Sequence, residues 1–130
     1  MDLDLRWLGD LRFAGESAGA SITLDSDGVA GPSPVQALAF AIAGCMGMDL
    51  IHILTKARVP PRALSAHLRA DRATTEPRRI TRVELRFLVE GAVPAETVER
   101  AIRLSREKYC SVWHSMRSDI ELVTGFEQRS

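Results

Sequence analysis

The two residues of this chain best suited to chemistry are its only cysteines, Cys45 and Cys110. Cys45 follows Gly44 in a long apolar stretch, and Cys110 lies in the short sequence Tyr-Cys-Ser-Val. A free cysteine packs like a small hydrophobic residue, but its placement is usually decided by its reactivity. The two cysteines together therefore indicate a redox couple.

The charge and hydropathy patterns restrict the partners and the compartment. Seventeen basic and seventeen acidic residues cancel, so nucleic acid and anionic membranes are not expected as partners. The first residues lack the features of a secretion signal, and Asp49, His52 and Lys56 interrupt the longest apolar run, so no membrane span is expected. We expect a cytoplasmic protein. In that reducing compartment a cysteine pair is more often catalytic, redox-sensing or metal-binding than a permanent disulfide.

The elements that must position the cysteines begin with a small sheet and a long helix. A chain of 130 residues predicts a single domain, residues 1–130. Short apolar runs and glycines over Leu3–Leu24 predict an antiparallel meander of two or three strands. Ser33 as N-cap and Pro34 at the first helical position then predict a helix that ends near Arg58.

This helix is apolar on every side, since one face carries Val35 and Leu38 and the opposite face carries Phe40 and Met48. A helix that is apolar all round must be buried all round. One small domain has difficulty surrounding such a helix, so a partner subunit is the expected source of the remaining cover. The sequence therefore predicts a homodimer.

The second half of the chain reads as two strands, a helix and a last strand. Strands are predicted at Leu64–Ala70 and Ile80–Val89, and the alternation in the latter is typical of a half-buried antiparallel strand. A second helix should begin at Pro94 and bend or break around Cys110, where the apolar register changes. A strand at Ile120–Phe126 ends the chain, which gives an α+β fold class.

Asp49 and His52 lie one and two turns beyond Cys45 on the same side of the first helix. His52 is a candidate proton donor to a leaving hydroxide or alkoxide, and the cluster with Cys110 and His114 is a candidate metal site. No His-x-x-x-His or Cys-x-x-Cys spacing is present, so we expect no metal.

Structural roles for the same two residues are the alternative. A carboxylate on an apolar helix needs a partner, and Lys108 or Arg106 would supply one for Asp49. His52 would then be a hydrogen-bonded core histidine.

The order of elements and several motifs resemble the OsmC/Ohr superfamily of osmotically inducible and organic-hydroperoxide-resistance proteins, and most closely its uncharacterised OsmC-like branch. The resemblance spans nearly the whole chain. It implies an OsmC-like fold, with antiparallel sheets wrapped around two long central helices in an intertwined homodimer. The motifs that carry it are Trp7-x-Gly9-Asp10, Pro32-Ser33-Pro34, Gly44-Cys45 with Asp49, Ile53-Leu54-x-Lys56-x-Arg58, Glu76-Pro77 and Leu104-Ser105-x-x-Lys108-Tyr109-Cys110-Ser111-Val112.

The resemblance also implies a thiol-dependent peroxidase that acts on organic hydroperoxides in oxidative-stress defence, with hydrogen peroxide as a further candidate substrate. Cys45 matches the peroxidatic cysteine and Cys110 the resolving cysteine. A sulfenic acid formed at the first would condense with the second to a disulfide. The expected reductant is a lipoyl protein or a small thiol, and no cofactor is expected.

A peroxidatic thiol needs a cation nearby, since its ordinary pKa of about 8.5 leaves it mostly protonated. The family's arginine corresponds to Arg12, with Arg6 as the competing candidate. Its usual glutamate partner is absent, because Val35 and Gln36 stand at that place. A neutral Gln36 predicts a mobile arginine and slow peroxide chemistry. The alternative function is therefore a non-catalytic OsmC-like dimer that binds a hydrophobic or acyl ligand in its interfacial pocket.

Overall fold

The computed structural model describes residues Met1–Ser130 and confirms the α+β fold class. The chain forms two compact units, Met1–Phe40 and Ala41–Ser130, and the first helix begins in one and ends in the other. The elements are β1 (Asp4–Gly9), β2 (Arg12–Ser17), β3 (Ala20–Asp25), α1 (Pro34–Lys56), β4 (Ala63–Arg72), β5 (Ile80–Glu90), α2 (Ala95–Leu104), α3 (Ser111–His114) and β6 (Glu121–Arg129).

The first unit contains the predicted meander, which has three antiparallel strands in the order β1-β2-β3. Gly9 adopts a φ of 105° at the turn between β1 and β2, a conformation that glycine takes without a steric cost. Asp25 ends β3 and is only 1% exposed. Its carboxylate accepts the N–H groups of Asp27 and Ala30, so this one side chain organises the loop that follows the sheet.

A reciprocal pair of hydrogen bonds starts α1. Ser33 Oγ accepts the N–H of Gln36 at 3.2 Å, and Gln36 Oε1 accepts the N–H of Ser33 at 2.9 Å. This arrangement is a capping box, with serine at the N-cap and a glutamine three residues later. The predicted N-cap is confirmed. The helix ends at Lys56, and Arg58 just beyond it has a φ of 64°.

The second unit is built on a sheet of order β4-β5-β6. The predicted alternation is confirmed, since Val83, Leu85, Phe87 and Val89 are all buried on one face of β5. β4 and β5 are antiparallel, as expected, whereas β5 and β6 are parallel. The expectation of antiparallel pairing was wrong for this last pair. The helices between β5 and β6 form a crossover connection. It returns the chain to the end of the sheet where β5 begins, so β6 runs in the same direction as β5.

The core of the second unit lies between α1, α2 and this sheet. From α1 it takes Met46, Leu50 and Leu54, spaced by four residues and fully buried. The other sides of α1 are open, and Phe40 and Met48 are 72% and 74% exposed. Within this chain α1 is therefore buried along one stripe only.

The length and composition of α1 would allow it to cross a membrane, which corrects the expectation that no such segment exists. The three charged or polar interruptions lie toward its C-terminal half and leave a long apolar part before them. One helix of this kind is weak evidence for a span, because core helices pass the same test. The buried stripe that α1 packs into the core is typical of a core helix.

The break predicted around Cys110 is present. α2 continues into a π-helical turn, Ser105–Tyr109, after which Cys110 is extended with φ −71° and ψ 97°. The short α3 begins at the next residue. π-Helical turns of this kind are frequent at functional sites.

Candidate active site

Cys45, Asp49 and Cys110 come together in the second unit. The two sulfur atoms and a carboxylate oxygen of Asp49 all lie within 4.8 Å of one another, and both cysteines are free thiols. We call these three residues the thiol–carboxylate cluster. The sequence predicted that the cysteines would approach each other, and the structure brings them together.

Two features of the backbone bring the cluster together, namely the helical spacing on α1 and the break before α3. Cys45 and Asp49 are four residues apart on α1, so their side chains lie one above the other on the same face. Cys110 is brought in by the break after the π-helical turn, where its N–H donates to Ser105 O at 2.8 Å. The Cys110 sulfur accepts the N–H of Trp113 at 3.3 Å and thereby caps α3.

Ser105 fixes the carboxylate of the cluster. Its hydroxyl donates to Asp49 Oδ2 at 2.7 Å, and Ser105 itself is fully buried. This role of Ser105 was not predicted from the sequence. A buried hydroxyl needs a hydrogen-bond partner, so the burial of Ser105 would have indicated one.

The basic partners predicted for Asp49 were wrong. Arg106 donates instead to Thr124 Oγ1 at 3.0 Å, and the Lys108 ammonium lies 5.3 Å from the centre of the Tyr109 ring. The π-helical turn changes the angular spacing of residues along the helix, so these positions no longer follow the α-helical register assumed from the sequence.

The two thiols differ in their access to solvent. Cys110 is completely buried, whereas Cys45 is only partly buried. Burial raises the pKa of the Cys110 thiol to about 11. The Trp113 N–H opposes this rise, while a hydrogen bond to Cys45 and the negative charge of Asp49 add to it. Cys110 is therefore a protonated, shielded thiol at neutral pH, and Cys45 is the more accessible sulfur.

A cavity of about 590 Å³ opens beside the cluster and includes Asp49 in its wall. His52 also lines it and is exposed, so the prediction of a hydrogen-bonded core histidine was wrong. His114 lies elsewhere, with its Nε2 3.0 Å from the carbonyl oxygen of Arg106. The remaining residues that line the cavity are Ile53, Lys56, Ala57, Arg100, Leu104 and Tyr109.

The other predicted site residues, Arg12 and Gln36, lie in the first unit. Arg12 Nε donates to Asp25 Oδ2 at 3.0 Å, so this arginine has a carboxylate partner that does not come from the long helix. The amide of Gln36 is engaged in the capping box. Arg6, the competing candidate, lies on the exposed strand β1. The sequence did not predict Asp25 as the partner of Arg12.

The fold and the paired thiols are those expected of an OsmC-like protein, and comparison with known proteins supports this class. The family model described as OsmC-like protein matches residues 25–124. The chain therefore belongs to the OsmC-like protein family.

Three relatives show how far this similarity extends. The chain is 34% identical to protein YhfA of Escherichia coli (strain K12) over 98% of this chain and 97% of YhfA. A hypothetical protein from Aquifex aeolicus VF5 has a crystal structure that matches with a TM-score of 0.91 and 26% identity, over 99% of this chain and 96% of that one. An organic hydroperoxide resistance protein OsmC from Legionella pneumophila matches with a TM-score of 0.71 over 97% and 95% of the two chains. Its identity of 15% shows a shared fold only.

Proposed function

We propose that this protein is a thiol peroxidase that reduces organic hydroperoxides through Cys45 and Cys110. The observation that carries the proposal is the pair of free sulfurs within 4.8 Å of each other, one accessible and one buried. Membership of the OsmC-like family and the shared fold with an organic hydroperoxide resistance protein support the same chemistry.

The proposed reaction has three balanced steps. The Cys45 thiolate attacks the distal oxygen of the hydroperoxide, the O–O bond breaks, and a sulfenic acid and an alkoxide are formed. The alkoxide then takes up one proton to become the alcohol. The Cys110 thiol then condenses with the sulfenic acid, which gives a disulfide and water. A dithiol reductant, for which a lipoyl protein or small thiol is proposed, restores both thiols by thiol–disulfide exchange. The sulfurs must approach to about 2.05 Å for the second step.

Solvent access assigns the attacking sulfur. Cys45 is partly exposed to solvent, whereas Cys110 is fully buried and is packed in the core cluster. A buried thiol held next to the attacking sulfur is suited to resolution, because only an intramolecular partner reaches it. The lack of regular α-helical hydrogen bonding around Cys110 supports the local movement that disulfide closure requires.

The remaining site residues have supporting roles in the proposal. Arg12 is the candidate cation for the reacting thiolate, as the family resemblance implies, and Asp25 rather than Gln36 orients it. Asp49 positions Cys45 and Cys110, and His52 is the proton donor available from the adjacent cavity.

A second copy of the chain is the proposed partner, and the reducing cytoplasm the proposed location. Large apolar side chains remain exposed on the first sheet and on α1, and exposed apolar patches typically mark protein–protein contacts. These residues are Leu3, Leu5, Trp7, Leu11, Phe40, Met48 and Ile51. A homodimer that covers them is consistent with the intertwined arrangement that the family resemblance implies.

Turnover of an alkyl hydroperoxide with dihydrolipoate tests the proposal. Wild type should consume the peroxide catalytically and Cys45→Ser should not. Cys110→Ser should still be oxidised once at Cys45 but fail to recycle through the disulfide, because its sulfenic acid has no internal partner. His114→Ala, which lies outside the cluster, is the matched control and should retain wild-type turnover. If wild type shows no turnover, the peroxidase proposal fails and binding of a hydrophobic or acyl ligand becomes the better account.

A further inference from the structure

The donor atoms of the thiol–carboxylate cluster are also a ligand set for a borderline-soft cation. Two sulfurs and one carboxylate oxygen lie mutually within 4.8 Å. A tetrahedral zinc site has Zn–S distances of about 2.3 Å and Zn–O distances of about 2.0–2.2 Å, which separate its ligand atoms by about 3.5–3.8 Å. The cluster therefore needs to contract by only about 1 Å to surround such an ion.

The electrostatics of Asp49 favour a cation at this place. Its carboxylate lies within 4.8 Å of both sulfurs and accepts a hydrogen bond from the neutral Ser105. The ion pairs of the chain involve other acidic residues. A partly buried carboxylate without a cationic partner is costly, and thiolates beside it would add to the repulsion. A divalent ion would bind all three groups and offset most of their negative charge.

The surroundings supply the other parts of a metal site. Cys45 and Asp49 have the i, i+4 spacing on one helix that paired metal ligands use. Ser105 orients the carboxylate from outside, as hydrogen-bonded partners of metal ligands do. The adjacent cavity reaches Asp49, so a water molecule can enter and occupy a fourth position. Sequence spacing indicated no metal, because Cys110 joins the other two ligands only through the tertiary fold.

We propose that the reduced protein binds one Zn²⁺ ion per chain through Cys45, Asp49 and Cys110, with water as the fourth ligand. Binding converts the two thiols to metal-bound thiolates and releases two protons. The same sulfurs would form the disulfide, so zinc binding and oxidation are mutually exclusive. A bound ion would therefore protect Cys45 from hydroperoxide until a chelator or a competing ligand removes it.

Calorimetric titration of the reduced, metal-free protein with Zn²⁺ tests this site, with a phosphine as the reductant so that no other thiol competes. Wild type should bind one ion per chain. Cys45→Ser and Cys110→Ser should lose that binding, and Asp49→Asn should weaken it by about tenfold or more. The disulfide form of the wild type should not bind. His114→Ala is the matched control and should bind as wild type does.

Two results would overturn the site. One is a wild type that binds no Zn²⁺ below millimolar concentration. The other is unchanged affinity in Asp49→Asn or in Cys110→Ser, which would mean adventitious binding at one thiol. Circular dichroism of each variant checks that it is folded. Hydroperoxide turnover by metal-free protein is measured separately, so a failure of zinc binding is distinguishable from a failure of the peroxidase proposal.

Discussion

The guanidinium of Arg12 donates from Nε to Asp25 Oδ2 at 3.0 Å, and the same carboxylate accepts the N–H groups of Asp27 and Ala30. Asp25 therefore joins the strand that carries Arg12 to the loop that leads into α1. The family resemblance assigns the orienting carboxylate to the start of the long helix, where this chain has Gln36. In this protein a residue at the end of β3 supplies the charge, and the glutamine caps the helix.

Acid should weaken the first unit through Asp25. The hydrogen bonds from Ala30 and Asp27, together with Arg12, lower the pKa of this carboxyl below its ordinary value, against the opposing effect of burial. A group with a lowered pKa contributes stability above its unfolded-state pKa of about 3.9, and this contribution is lost as the pH falls through the folded-state value. Melting temperature measured against pH should fall in acid for wild type, and less steeply for Asp25→Asn. Parallel curves for the two proteins would contradict this role.

Asp25 and Gln36 should differ in their effect on hydroperoxide turnover. Asp25→Asn removes the charge-assisted partner of Arg12, and we expect the second-order rate constant to fall about tenfold, which corresponds to about 1.4 kcal/mol. Gln36→Glu preserves the capping box, because glutamate serves equally well at that position. Its rate should stay within about twofold of wild type. A large increase of the rate constant in Gln36→Glu would instead indicate that position 36 lies in the active site.

The sequence predicted what depends on local pattern and missed what depends on tertiary contact. Ser33 as N-cap, the alternation of β5 and the break at Cys110 follow from residue types over short windows, and all three are confirmed. The parallel pairing of β6 is set by the helical crossover, which no strand pattern encodes. The partners of Asp49 and Arg12 were missed for a related reason. Each is a short polar side chain from another segment, whereas long basic residues were expected beside Asp49 and Gln36 was the position considered beside Arg12.

The bond between Ser105 and Asp49 should contribute measurably to stability. Ser105→Ala leaves a partly buried carboxylate without its donor, which costs about 1–3 kcal/mol in the free energy of unfolding. Chemical denaturation of the reduced protein measures this loss. Ser118→Ala, an exposed position, is the control and should change the free energy of unfolding by no more than about 0.5 kcal/mol. Equal stability of the two variants would show that the bond contributes nothing.

The exposed side of α1 should determine the oligomeric state. Sedimentation equilibrium of wild type at micromolar concentration should show a species of twice the 14.3 kDa chain mass. Met48→Glu places a charge on a side chain that is 74% exposed in the single chain, and it should shift the protein toward monomer. Thr74→Glu, in an exposed loop, should remain dimeric. A monomeric wild type would refute the proposed assembly.

The two-cysteine mechanism is tested most directly by treating the reduced protein with one equivalent of an organic hydroperoxide and measuring its mass. Peptide mapping under non-reducing conditions follows. Wild type should lose two hydrogen atoms per chain and give one cross-linked peptide pair that contains Cys45 and Cys110. Cys110→Ser should instead gain one oxygen atom at Cys45. If wild type remains fully reduced, or if oxygen accumulates on Cys45 without the disulfide, the two-cysteine mechanism is contradicted.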